Sequence, residues 1–338
     1  MVQDDFVQFN LTGTPEDIET GMQLVYRLLT DPRLETIPFE QWRTGMVQGL
    51  EAARKDPLRS LQMVMADTMY PEGEARARAL TTEQVGRISM KDAQAWLNRM
   101  IRTAPLEVAI VGDLEQGPAF DLARTYLGSI AERDEMSAQG LADLSPIAAP
   151  ASDRVATVEV ETQTPAAGVI AGFMGPDAAD VRDTRIMQLA SRTLSTRLIE
   201  KVREEERLVY SISAQVIPGE AYPGYGLMMA GSATDPAKAD VLADRVGEIF
   251  AEFAETGPTD EELETAKKQV AKTLDEAFEE PGFWALQLAQ LDKRGRDLDD
   301  LMGALEMYQG FTADEVRTTF AAYQQKPKVR VIVKPASE

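Results

Sequence analysis

The feature that most limits the fold of this chain is an internal repeat. Three segments of its first third return near its end at almost constant shifts of 221, 223 and 222 residues. They are the helix start Thr14-Pro15, which returns as Asp235-Pro236; ISMKDAQAWL from Ile88, which returns as FTADEVRTTF from Phe311; and LEVAIV from Leu106, which returns as KVRVIV from Lys328. Near-constant shifts over three separate segments predict two copies of one structural unit.

Both copies mix helix and strand patterns, which predicts an α+β fold of two related repeats. The first copy has strand patterns at residues 6–11 and 106–111. The second copy has five strand patterns, at residues 155–161, 168–173, 209–216, 225–233 and 329–333. Residues 155–224 precede the shared part of the second copy and have no counterpart in the first. We therefore expect a first repeat that is incomplete at its N-terminus, with its open sheet edge covered by the second copy, another subunit or an upstream segment.

Residues 132–154 contain Ser, Gly, Pro and Ala with little periodicity, which predicts a linker. The expected organisation is an incomplete repeat over 1–131, the linker over 132–154 and a complete repeat over 155–338. The chain is 44% hydrophobic and 27% charged, which is typical of a globular protein. A formal charge of −21 opposes binding to nucleic acid and to anionic membranes.

The absent residue types exclude several kinds of active site. The chain has no Cys and no His, so thiol and Ser-His-Asp catalysis and His-containing zinc sites are impossible within it. A site built from carboxylates alone stays open. The nearest candidates, Asp297, Asp299 and Asp300, lack the glycine turn of a calcium loop and are typical of a helix start. The absence of Cys is compatible with either cytoplasm or periplasm, so the compartment stays open.

The most informative stretch is residues 194–210, LSTRLIEKVREEERLVY, which ends a helix in a charged turn and passes into a strand. This pattern places Arg203 and Tyr210 near one junction. A guanidinium and a phenol can both donate to one carbonyl oxygen and so hold a peptide bond. The spacing alone also fits a structural interpretation, in which Arg203 pairs with Glu200 or Glu206 and Tyr210 is half-buried.

The string VREEERLVYSISA resembles the substrate-binding signature of pitrilysin/insulysin-type (inverzincin) zinc metallopeptidases. In that family an Arg lies seven residues before a Tyr in a non-catalytic domain. The downstream GPTDEELETAKKQV, residues 257–270, resembles a recurrent helix start of the same family. The resemblance implies that Arg203 and Tyr210 bind substrate. It also implies antiparallel sheets with helices packed on one face, and two halves that enclose a peptide-cleaving chamber.

The inverted H-x-x-E-H zinc motif of that family is absent here. Of the positions that match the family's further metal ligand, only Glu51 could serve. The resemblance therefore implies a non-catalytic carboxy-terminal half, with no catalytic residue and no metal ligand of its own. Zinc would be supplied by an upstream segment or by a partner. The implied partners are a peptide or protein substrate and the zinc-bearing half, in cis or in trans, with a homo-oligomer also open.

Two other functions fit the sequence. One is a self-sufficient peptide-binding or scaffold subunit that has lost catalysis, and the other is a carboxylate-based hydrolase unrelated to zinc. We also expect a strand edge near residues 211–216 or 227–233 to bind an extended peptide by strand addition.

Overall fold

The computed structural model describes residues 4–76, 79–133, 147–291 and 293–336. Within these residues the α-helices are α1 Ile18–Thr30, α2 Thr36–Arg54, α3 Pro57–Met69, α4 Thr82–Arg87, α5 Met90–Thr103, α6 Gln116–Tyr126, α7 Val181–Leu198, α8 Ala239–Thr256, α9 Asp260–Phe278, α10 Pro281–Leu288, α11 Leu298–Met302, α12 Ala304–Gly310 and α13 Ala313–Gln324. The strands are β1 Arg154–Val160, β2 Ala167–Met174, β3 Ser213–Ile217, β4 Leu227–Thr234 and β5 Lys328–Pro335. The predicted α+β class is confirmed.

The five strands form one sheet in the order β1-β5-β2-β4-β3. Three neighbouring pairs are antiparallel, but β1 runs parallel to β5. The sheet is therefore mixed, and the expected purely antiparallel sheet was wrong in this respect. The physical reason is that β1 and β5 lie at opposite ends of the second repeat. No short hairpin joins them, so their direction is free.

Helices cover both faces of this sheet. On one face, β2 places Val169 and Phe173 in a core shared with α7, α8 and α13. On the other face, α3 packs against β1, β2 and β5, and Leu61 of α3 lies directly over Gly168. The expectation of helices on one face alone was therefore wrong. Burial on both faces also explains why β2 has an almost continuous apolar sequence rather than an alternating one.

Four phenylalanines pack edge to face at the centre of the larger core, with ring centroids 4.8–5.9 Å apart. They are Phe173 of β2, Phe250 and Phe253 of α8, and Phe320 of α13. Each pair of this geometry contributes about 0.5–1.5 kcal/mol beyond the burial of its area. The cluster joins β2 to the two helices that the repeat relates to α1 and α5.

The chain divides into two compact units. The first contains the described residues of 1–48, 81–144 and 275–301, and the second those of 49–80, 145–274 and 302–338. The sheet and α3 belong to the second unit. Of the predicted linker, residues 134–146 lie outside the described residues, and β1 begins at Arg154.

The described residues of the first unit contain helices but no strand, so the predicted strands at 6–11 and 106–111 were wrong. Their counterparts in the second unit, β4 and β5, are both hydrogen-bonded to β2, which lies between them. No equivalent of β2 occurs among the described residues of the first unit, and two strands alone are marginal. Large apolar side chains of this unit are accordingly exposed, including Ile37 (72%) and Phe120 (61%).

Local signals of the repeat are nevertheless present in both units. Short 3-10 turns with proline at the start, Pro15–Asp17 and Pro236–Lys238, precede α1 and α8. Ser89 and Thr312 cap α5 and α13, and each side chain accepts a hydrogen bond from the backbone N–H three residues later. No helix within the described ranges is both long enough and apolar enough to span a membrane.

Candidate functional site

The predicted site begins where α7 changes its helical pitch. After Leu198 the chain continues as a π-helix, Ile199–Glu205, that contains Arg203. The Glu206 N–H donates to the Lys201 carbonyl at 3.1 Å, and the Leu208 N–H donates to the Val202 carbonyl at 3.0 Å. Val202 is fully buried and anchors this wider turn in the core. Single π-helical turns are rare, and they are frequent at functional sites.

Arg207 closes the turn in the left-handed backbone region, at φ 52°. It is the one non-glycine residue with positive φ in the described parts of the chain. This conformation costs an L-residue roughly 1–2 kcal/mol. The turn reverses the chain between Arg203 and Tyr210, and such outliers in backbone geometry cluster at binding sites.

Tyr210 points into solvent while the residues around it are held in place. Its exposure is 94%, whereas Leu208 and Val209 pack against the large core and Ile212 is 5% exposed. Arg203 is also exposed. Neither side chain makes a hydrogen bond or ion pair within the described residues. The structural interpretation, in which Arg203 pairs with a neighbouring Glu and Tyr210 is half-buried, was therefore wrong.

The end of β4 fixes the segment that carries Tyr210. The Thr234 hydroxyl donates to the Leu208 carbonyl at 2.6 Å, and the Ser232 hydroxyl donates to the Ser211 carbonyl. A single bridge joins Val209 to Thr234. Regular pairing with β4 starts only at Ser213, so the strand predicted from residue 209 begins four residues later. Side-chain hydroxyls thus replace the ladder at this point and leave Tyr210 outside the sheet.

Charged residues on either side of Arg203 form ion pairs with α8. Lys201 binds Glu252 of α8 at 2.7 Å, and Glu206 binds Arg245 of α8 at 2.6 Å. The hydrogen bond from Lys201 lowers the pKa of the Glu252 carboxyl. These two pairs tie the π-helix to α8 by its ends. The Arg203 guanidinium lies between these two ion pairs and is exposed to solvent.

Of the two predicted strand edges, only one is an edge. β4 lies inside the sheet between β2 and β3, so the prediction of an open edge at residues 227–233 was wrong. β3 is the last strand on its side, but α7 packs against it. The Ala214 N–H of β3 donates to the Ser195 hydroxyl of α7 at 3.0 Å. Ser195 therefore occupies one of the edge groups that an added strand would need.

The described residues offer no site for a metal. No group of three Asp, Glu, His or Cys side chains that could hold an ion occurs in the parts of the chain described above. Glu51 lies exposed on α2. Asp297 accepts a hydrogen bond from the Asp300 N–H at 2.9 Å at the start of α11, which is the helix start expected from the sequence.

Sequence reasoning missed the residues that position the pair. Thr234, Ser232 and Arg245 lie 21 to 39 residues after their partners in the turn segment, on β4 and α8. None belongs to a recognisable motif. Only the three-dimensional arrangement brings them to the turn.

Both members of the Arg–Tyr pair lie in the part of the chain that matches a known family. The family described as the peptidase M16 inactive domain matches residues 87–270, more than half of the chain. The chain belongs to the peptidase M16 inactive-domain family. The resemblance to zinc metallopeptidases of this type is therefore confirmed, and the chain is one of the M16 domains that do not carry the catalytic site. Among curated proteins no sequence match was found.

Solved structures share the M16 fold over nearly the whole chain. The M16 inactive domain from Pseudomonas fluorescens is 18% identical, with a TM-score of 0.77 over 95% of this chain and 76% of that one. The periplasmic protease PqqL from Escherichia coli is 20% identical, with a TM-score of 0.74. A variant of the ferredoxin protease FusC, in complex with Arabidopsis ferredoxin, is 15% identical with the same TM-score. Each of these two matches includes 95% of the present chain but only 35% of the length of the protease.

Proposed function

We propose that this chain is the non-catalytic, substrate-binding part of a zinc-dependent M16 peptidase and that it closes a peptide-cleaving chamber. The observation that carries this proposal is the pair of unused donors, Arg203 and Tyr210. The backbone between them is held by the Arg245–Glu206 ion pair and the Thr234–Leu208 hydrogen bond. Preorganised donors lose little freedom when a ligand binds. A rigid backbone with unpaired donor side chains is suited to binding a substrate.

The ligand that best suits the pair is a peptide carbonyl. A guanidinium and a phenol are both strong donors, and both can reach one oxygen from different directions. Each such donor, in a site from which water is excluded, is worth about 2–4 kcal/mol when charge develops on that oxygen. The residues of this chain would hold and orient the peptide, while the chemical step would belong to another polypeptide.

Zinc does not fit the residues present here. The sequence has no His or Cys, and the described carboxylates form no metal-binding cluster. We therefore assign zinc and the H-x-x-E-H motif to an upstream segment or to a partner chain. The exposed apolar side chains of the first unit, such as Ile37 and Phe120, support a surface that another polypeptide covers. A second copy of this chain is the other polypeptide that could cover it.

The substrates would be peptides or proteins. Two of the similar structures named above are proteases, and one of these two is bound to a protein, ferredoxin. The proposal makes the present chain inactive by itself. Purified alone, it should hydrolyse no peptide and retain no zinc after dialysis. Peptide hydrolysis that a chelator does not affect would contradict the proposal and would favour the carboxylate-based alternative.

The deciding experiment uses this chain assembled with its zinc-bearing half. Arg203→Ala and Tyr210→Phe should each lower peptide turnover by roughly thirtyfold or more, as the loss of a donor worth about 2–4 kcal/mol predicts. Arg182→Ala, which removes an exposed guanidinium from the first turn of α7, should leave turnover unchanged. Normal turnover in both site variants would remove the pair from the site. Peptide binding with no zinc-bearing partner in the cell would favour the scaffold alternative.

A further inference from the structure

A groove of about 190 Å³ lies between α7 and α9, away from the Arg203 turn. Its walls carry a guanidinium, Arg192, and the polar side chains of Thr196, Thr265 and Gln269. All of these residues belong to the second unit. Most of the lining side chains carry a hydrogen-bonding group, although apolar atoms form the larger part of the groove's surface. A ligand would therefore need a polar group to use these donors and acceptors.

Arg192 has most of its donors unused. Its only described hydrogen bond runs from Nη2 to the Thr273 hydroxyl at 3.3 Å, which is a long contact to an uncharged acceptor. It has no carboxylate partner within the described residues, although it is partly buried. The contrast is Arg197, one turn later on α7. That guanidinium donates twice to Glu262 at 2.7 Å and once to the Gly257 carbonyl at 2.8 Å.

Further donors converge on the same groove. The Thr196 hydroxyl and the Gln269 amide line it, and neither side chain makes a hydrogen bond within the described residues. A guanidinium, a hydroxyl and an amide together match the acceptor pattern of a carboxylate. Glu261 and Glu262 also line the groove, and the Glu262 carboxylate is paired with Arg197. The charge of Glu261, which no ion pair within the described residues neutralises, disfavours a dianion such as phosphate more than a carboxylate with a single charge.

The groove lies on the same stretch of helix as the peptide-binding pair. Arg192 and Arg203 are 11 residues apart on a continuous helical run, which is about three turns and about 16 Å. Both belong to the stripe of this run that is not buried in the core. An extended peptide covers that distance with about five residues.

We propose that the Arg192 groove binds a carboxylate of the substrate, either an acidic side chain or the C-terminal carboxylate, about five residues from the carbonyl held by Arg203 and Tyr210. This inference deepens the proposed function and depends on it for the identity of the ligand as a substrate. The groove itself does not depend on it, since its donors are present whether or not the Arg–Tyr pair binds peptide.

The groove is tested first with a small probe and the full chain. N-acetylaspartate amide is titrated while the arginine Nε–H signals are followed by NMR, with the Arg192 signal assigned from Arg192→Gln. The Arg192 signal should shift in a saturable way at millimolar probe, and the Arg182 signal, which comes from an ion-paired arginine on the same helix, should not. No shift of the Arg192 signal would overturn the proposal. A larger shift with inorganic phosphate than with the carboxylate would overturn the assigned ligand class.

The link to the substrate is tested with two fluorescent peptides that differ only in a C-terminal carboxylate or amide, about five residues from a central peptide bond. The acid should bind the full chain roughly fivefold to tenfold more tightly than the amide. Arg192→Gln should abolish that preference and leave the affinity for the amide peptide unchanged. Arg182→Gln is the matched control and should keep the preference. A preference that survives in Arg192→Gln would overturn the proposal.

These results separate the two proposals. Failure of the Arg–Tyr pair to bind peptide would leave the affinities of both peptides unchanged by Tyr210→Phe, and it would leave the Arg192 signal responsive to the small probe. Failure of the groove would leave both peptides bound with equal affinity. Each failure therefore has its own signature.

Discussion

Thr234 and Leu208 are joined by a hydrogen bond in which the Thr234 hydroxyl donates to the Leu208 carbonyl at 2.6 Å. The contact links the last residue of β4 to the turn that carries Tyr210. Because Thr234 is buried, the carbonyl it binds has little access to water. The exposed tyrosine therefore depends on a partner 26 residues away for a fixed backbone.

Thr234→Val tests this contact, because it keeps the shape of the side chain and removes its hydroxyl. A buried carbonyl without a donor costs about 1–3 kcal/mol, so the free energy of unfolding should fall by that amount. Urea unfolding measures the loss, and faster amide exchange at residues 207–212 would localise it. Thr265→Val is the control, since that hydroxyl donates only within its own exposed helix turn. Equal stability of the two variants would contradict the assigned role.

Arg207→Val tests the left-handed turn. A β-branched residue at φ 52° is strongly disfavoured, so the variant should lose about 1–2 kcal/mol in free energy of unfolding. Arg207→Asn should be neutral or slightly stabilising, because asparagine tolerates this backbone region. Glu205→Val, in the preceding π-helix, controls for the β-branched side chain itself. Equal free energies of unfolding for Arg207→Val and Arg207→Asn would show that the turn does not have this conformation in solution.

Glu262→Gln tests the ion pair that holds α9 against α7. The hydrogen bond from Arg197 lowers the pKa of the Glu262 carboxyl, with further contributions from the Thr259 backbone. A carboxyl whose pKa is lowered by folding stabilises the protein at pH values above its ordinary pKa of 4.5. This stabilisation is lost as the pH falls toward the lowered pKa. The free energy of unfolding of the wild type should therefore exceed that of the variant by about 1–2 kcal/mol at pH 7, and this difference should shrink below about pH 4.5.

Unfolding in urea at pH 7, 5 and 3.5 follows that difference. Glu83→Gln is the control, because Glu83 and Arg87 form an exposed pair of the i, i+4 type. Such pairs contribute about 0.3–0.5 kcal/mol. A difference between wild type and Glu262→Gln that stays constant over this pH range would show that the charge of Glu262 does not stabilise the fold.

Gly172→Ala tests the close approach of β2 and β4. A Cβ atom at this position would lie 2.1 Å from the Met228 carbonyl oxygen, so the two strands would have to separate. We expect a loss of about 2–3 kcal/mol in the free energy of unfolding. Gly247→Ala is the matched control on α8, where an added Cβ meets nothing within 4 Å. The free energy of unfolding of Gly247→Ala should rise by about 0.5–1 kcal/mol, because alanine has the higher helix propensity. Thermal and urea unfolding of both variants should show a loss of stability for Gly172→Ala and a gain for Gly247→Ala.

The sequence predicted most of what depends on neighbouring residues. The helix starts at Thr14-Pro15 and Asp235-Pro236 were predicted, because a proline at the first helical position is a signal carried by neighbouring residues. The family signature was also local, since Arg203 and Tyr210 lie within one short string. The strands at 6–11 and 106–111 were wrong because a strand needs hydrogen bonds from a second strand, and strand propensity does not supply that partner.

The sequence by itself predicted two related copies, excluded any contribution of His or Cys from this chain to a zinc site, and predicted the helix starts at Thr14-Pro15 and Asp235-Pro236. All of these follow from residue identity or from contacts a few residues long. The tertiary structure decided the order of the strands, the parallel pairing of β1 with β5, and the packing of α3 on the second face of the sheet. It also decided the exposure of Tyr210, because hydroxyls from distant residues of β4 hold the backbone on either side of it. Contacts between distant segments depend on how the whole chain packs, and no local pattern encodes them.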